Sequence, residues 1–186
     1  MKNPYLYGYL PLFTIVLFSL TFSVNAVSVA LQFINDIGVY SGIREFLSDF
    51  ELRIFLLIIF FVLFFMLFSA LKLIGETIHE LALLFFSKDR AGESVHIARG
   101  GYVIFFFGAA LSAVGIQMFW LLLGIFLMTT AAYFIFTVYK HSQHLSNVGM
   151  VGVIFFEIIA WTLIVAVIAY ALLKLYNSML ATLPFT

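Results

Sequence analysis

The chain has 186 residues, 65% of them hydrophobic and 10% charged, and a mean hydropathy of +1.17. That excludes a water-soluble fold, because one core of this size could not hide so much apolar surface. Nine basic residues balance nine acidic ones and cysteine is absent, so there is no basic surplus to attract nucleic acid, no disulfide and no thiolate metal site or nucleophile.

Lys2, the apolar stretch Leu10 to Phe22 and Val24-Asn25-Ala26 imitate a signal peptide. Apolar character continues through Val27, Leu31 and Ile34, which predicts a retained first helix from about Tyr5 to Phe33. Tyr5, Tyr7 and Tyr9 suit the headgroup level, and Pro4 and Pro11 fall where a missing N–H costs least. Thr21, Asn25, Ser28 and Gln32 are spaced to share one helical face, which in lipid must point at protein or water. The plain reading is a packing seam; the sharper one is a wall of a polar cavity.

From Asn35 to Asp49, apolar Val39, Tyr40, Ile43, Phe46 and Leu47 recur at helical spacing against Arg44 and Glu45. This predicts a short interfacial amphipathic helix. Ser48 and Glu51 then form a capping-box pattern before an uncharged run, so the second spanning helix begins near Asp49. No breaker other than Gly75 intervenes before Ser87, giving a helix of ~55 Å against a hydrocarbon core of ~30 Å. Its last turns carry Lys72, Glu76, His79 and Glu80 on one stripe.

Ser87 to Gly101 is a hydrophilic loop. Tyr102 to Tyr139 is too long for one crossing and suits two, with a turn beside Gly115 and Gln117. Gly108 and Ser112 permit close helix contact, and Thr130, Tyr133, Thr137 and His141 share a face. After a polar link, a last helix runs from about Val148 to Asn177, with Glu157 ~15 Å along it. The expected fold is therefore an all-α polytopic membrane protein, a single domain over residues 1–186. It has five transmembrane helices and one interfacial helix. Lys2, Lys88, Arg90, Arg99 and Lys140 on one side, against Arg44, Arg53 and Lys174, place the N-terminus in the cytoplasm and the C-terminus outside.

Glu76 and His79 have the Glu-x-x-His spacing of carboxylate-bridged di-iron helices, but one pair is half a site. The bland alternative is a surface stripe, with Lys72 bridging Glu76 across one turn and His79 solvated. His79-Glu80 opens like His-Glu-x-x-His, but Leu83 stands where the second imidazole is needed. A nucleophile elbow and a phosphate loop are missing, so neither an enzyme nor a cofactor is expected. Glu157 is the strongest remaining candidate, because an intramembrane carboxylate must be paired, hydrated or protonated. Lys72 is its expected partner, with Thr21, Asn25 and Ser28 as fallbacks.

The order of Gly8-Tyr9, Pro11-Leu12, Arg44-Glu45-Phe46, the stretch Met66 through Asp89, Gly92-Glu93-Ser94, Arg99-Gly100-Gly101 and Lys174 through Ser178 resembles the YufK-like family. These are small multi-pass membrane proteins of Bacillus-type bacteria. The likeness extends over most of the chain and implies a bacterial inner-membrane protein. It supplies no site residues, since the family has no established activity. Two functions follow as expectations. One is a non-enzymatic bundle, with the lipid bilayer, a second copy or another membrane protein as partner. The other is a small proton- or cation-coupled transporter or channel component using Lys72, Glu76, Glu157 and the Asn25 face.

Overall fold

The computed structural model describes residues 4–87, 98–142 and 145–182. Every regular element among them is helical: α1 Pro4–Asp36, α2 Tyr40–Ile43, α3 Asp49–Phe86, α4 Tyr102–Leu111, α5 Phe119–His141 and α6 Asn147–Thr182. Single 3-10 turns, Ala98–Gly101 and Ser112–Gly115, flank α4. The loop residues Lys88, Asp89, Arg90, Glu93, Ser94 and His96, together with Lys2 and His144, lie outside the described residues.

The second spanning helix has the limits its sequence predicts. Ser48 Oγ accepts from the Glu51 backbone N–H, and the Glu51 carboxylate accepts from the Ser48 backbone N–H at 2.8 Å. Such a cap satisfies orphan donors and contributes about 1 kcal/mol. With no proline and one interior glycine, nothing then interrupts 38 residues.

The expected interfacial helix is present but short. Only Tyr40–Ile43 is helical, a single turn with no buried residue. Gly38 adopts a left-handed φ of 74°, which stops α1 from running on. Tyr40, Ile43 and Leu47, at helical spacing, are half-buried, and polar contacts tether the segment as well. Arg44 Nε lies 3.4 Å from Asp49 Oδ1, and the Tyr40 hydroxyl donates to the same carboxylate. That hydrogen bond raises the Tyr40 phenol above its ordinary range.

Packing fixes the helix directions. Phe18 and Phe22 of α1 meet Phe68 and Phe64 of α3, at centroid distances of 5.8 and 5.5 Å, so α1 and α3 run antiparallel. Phe126 of α5 closes the cluster edge-on to Phe18 at 5.3 Å, over buried Ala109 and Leu122. Such aromatic pairs add ~0.5–1.5 kcal/mol each beyond the area they bury. α4 and α5 form a tight hairpin whose turn falls at residues 116–118, beside Gly115 and Gln117 as the sequence predicts. Gly101, Gly108 and Gly115 recur every two turns and face Tyr133, Thr129 and Leu122 in that order. The missing side chains let the two backbones approach.

α6 packs antiparallel on the end of α3. Phe86 lies against Gly149 and Gly152, where an added Cβ would come within 2.7 and 2.4 Å of it. Beyond Trp161 the two helices part, and Leu163, Val167, Tyr170 and Leu173 of α6 are exposed.

Among the described residues, four helices are long and apolar enough to cross a membrane: Gly8–Asp36, Asp49–Phe86, Phe119–His141 and Asn147–Met179. The expected fifth span, Tyr102–Gly115, is a shorter apolar helix.

Candidate functional site

The charged stripe of α3 divides between two clusters, because its residues fan around the helix toward different neighbours. Lys72 and Glu76, one turn apart, form the first. Lys72 Nζ donates to both carboxylate oxygens of Glu76 at 2.7 Å. Tyr102, the first residue of α4, donates its hydroxyl to Glu76 Oε1 at 2.7 Å, and its ring lies 5.7 Å from the Lys72 ammonium. Both side chains of the ion pair are about one third exposed. They open on a groove whose opposite wall is α1, formed by Gly8, Pro11, Leu12 and Ile15.

The second cluster is drier and joins three helices. His79 Nδ1 of α3 lies 2.6 Å from Glu157 Oε1 of α6. Their side chains are 16% and 9% exposed, so the contact is shielded from solvent. A distance that short requires a proton between the two atoms. The ring of His141, at the end of α5, meets His79 edge-on at 5.0 Å. Its Nδ1 lies 2.8 Å from the Thr137 carbonyl oxygen, so the backbone fixes that ring's orientation. His79 Nε2 is buried without a hydrogen-bond partner. Ile158 and Ile159, which follow Glu157, are apolar and exposed.

Glu157 therefore points into the bundle, but its expected partner was wrong. Lys72 belongs to Glu76, and His79 takes the acid. Phe86 sits level with Gly149 and Gly152, and stepping back ~10 Å along both helices brings His79, not Lys72, to Glu157. The solvated His79 of the stripe reading is likewise corrected, since Glu157 and His141 cover it. Glu76 and His79, although spaced like metal ligands, turn to different partners. No group of three metal-ligating side chains occurs among the described residues.

The polar face of α1 splits as well. Thr21 and Ser112 hydroxyls are 2.9 Å apart, and Asn25 Nδ2 donates to the Ile116 carbonyl oxygen at 2.8 Å, so this half is a seam against the α4–α5 turn. Ser28 and Gln32, further along, are exposed and outside it. Glu80 is exposed and belongs to neither cluster. Tyr102 was missed as a partner because nothing in its local sequence marks it. His141 was signalled by the face it shares with Tyr133 and Thr137.

Residues 27–184 match a model described as a family of unknown function, DUF5366. The chain is 41% identical over 185 residues to the uncharacterized membrane protein YufK of Bacillus subtilis (strain 168), covering 99% of this chain and 100% of that protein. No solved structure matches the chain.

Proposed function

The chain belongs to the family of unknown function DUF5366, and on that premise we propose that it is a non-catalytic bundle of the cell membrane, its buried polar pairs serving to hold the helices together. The observation that carries this reading is the pairing of Glu157. The one acid of α6 is met by His79 in a shielded contact. The open groove at Lys72 and Glu76 is lined by neither of them. Acids committed in this way serve as interhelical clips.

Five crossings belong to the proposal. α4 has ten residues, and with its two flanking 3-10 turns of four residues each it rises ~31 Å, comparable to α5 and to a bilayer core. An odd number of crossings puts the termini on opposite faces. Reporter fusions at residue 3 and residue 186 should therefore report opposite compartments, with the N-terminus cytoplasmic. A shared compartment would refute the five-span count.

A second reading, a proton- or cation-coupled transporter or channel component, draws support from the close His79–Glu157 contact beside His141. Proteoliposomes carrying an imposed pH gradient separate the two. The bundle reading expects dissipation equal to that of protein-free vesicles and unchanged by Glu157→Gln. Protein-dependent flux that Glu157→Gln abolishes would establish the transport reading instead.

A further inference from the structure

The groove beside Lys72 and Glu76 has an unusual lining for a lipid-facing surface: an ion pair on one wall and aliphatic α1 on the other. It measures about 500 Å³, within the ~300–1,000 Å³ usual for small-ligand sites. It is level with the starts of α1 and α4, while α3 continues for ten more residues beyond Glu76.

The hydrogen-bonding capacity of the pair is incompletely used. An ammonium has three donors, and Glu76 takes two of those on Lys72. A carboxylate offers about four lone-pair sites, and Lys72 and Tyr102 take three of those on Glu76. One cationic donor and one anionic acceptor therefore remain side by side, about one third exposed. The pair has no net charge, so it has no general attraction for an anion. Its complement is a zwitterion with the opposite order of groups, a phosphate for Lys72 and an N–H-bearing ammonium for Glu76. The aliphatic wall suits an acyl chain.

We propose that this groove binds a membrane phospholipid with a phosphoethanolamine headgroup, phosphate toward Lys72 and primary ammonium toward Glu76. A choline headgroup lacks the ammonium protons that Glu76 would accept, and a glycerol headgroup lacks the cation. Both should bind less well.

The test is a thermal melt of the full chain in lipid-free detergent, titrated in parallel with phosphatidylethanolamine, phosphatidylcholine and phosphatidylglycerol of the same acyl chains. The expected result is stabilisation by the ethanolamine lipid at about tenfold lower concentration than by the other two, one charge-assisted hydrogen bond's worth of preference. Lys72→Met and Glu76→Gln should each remove the preference. If either fails to fold, Gly8→Leu serves in its place. A Cβ added at Gly8 meets nothing within 4 Å, so a larger side chain is accommodated on the α1 wall of the groove, opposite the pair. Equal response to all three lipids, or a preference that survives Gly8→Leu, overturns the proposal. So does equal stabilisation by glycerophosphoethanolamine, which would make the occupant a soluble molecule.

Discussion

His79→Leu is expected to destabilise the folded protein by ~3–5 kcal/mol, because it removes only one half of a buried pair. Leucine fills much the same space, so packing loss is a minor part of the effect. The larger part is Glu157, 7% exposed and left without its nearest partner. Changing both residues, His79→Leu with Glu157→Met, removes the stranded acid as well and should recover most of the loss. Unfolding in mixed detergent or by heat, read as a double-mutant cycle, decides the matter. Losses that simply add would show that the 2.6 Å contact contributes no coupling. Lys72→Met provides the comparison: its partner Glu76 keeps the Tyr102 hydroxyl and partial solvent access, so its loss should be the smaller.

The two pairs also show where sequence reasoning reaches and where it stops. The start of α3 near Asp49 was legible because a capping box is local: Ser48 and Glu51 decide it between themselves. The Lys72–Glu76 bridge was legible for the same reason, as a one-turn spacing on a single helix. The inward direction of Glu157 followed from the cost of a carboxylate in lipid, which holds wherever the neighbouring helix sits. Its partner did not follow. Finding His79 in place of Lys72 needs the axial offset between α3 and α6, and that offset is set by Phe86 seating on Gly149 and Gly152, a contact between segments far apart in sequence. Lys72 is the expected partner because α3 reaches the cytoplasmic end near it while α6 starts there, yet Glu76 satisfies it within its own helix. The interfacial helix is shorter than its apolar pattern. Its apolar periodicity was real, since Tyr40, Ile43 and Leu47 are half-buried, but regular helix is confined to Tyr40–Ile43, between Gly38 and the tether of Tyr40 and Arg44 to Asp49.

Gly108→Ala should cost ~1–3 kcal/mol although it adds a single methyl. The new Cβ would stand 2.1 Å from Thr129 Oγ1, 2.4 Å from Cγ2 and 2.8 Å from Cβ. Those atoms cannot swing aside. A β-branched side chain is stiff at χ1, and the Thr129 hydroxyl is anchored to the Ile125 carbonyl oxygen at 2.7 Å. The helices themselves must separate, opening the aromatic core that α5 closes with Phe126. Glycine at 124, on the same hairpin, gives the opposite expectation. A Cβ there meets nothing within 4 Å, so Gly124→Ala should stabilise α5 by up to ~1 kcal/mol through helix propensity alone. Thr129→Gly combined with Gly108→Ala moves the small residue across the interface and should restore part of the loss. Thermal melts of the four proteins in one detergent check all of this. If Gly108→Ala and Gly124→Ala shift the melt in the same direction, close backbone approach is not what holds α4 to α5.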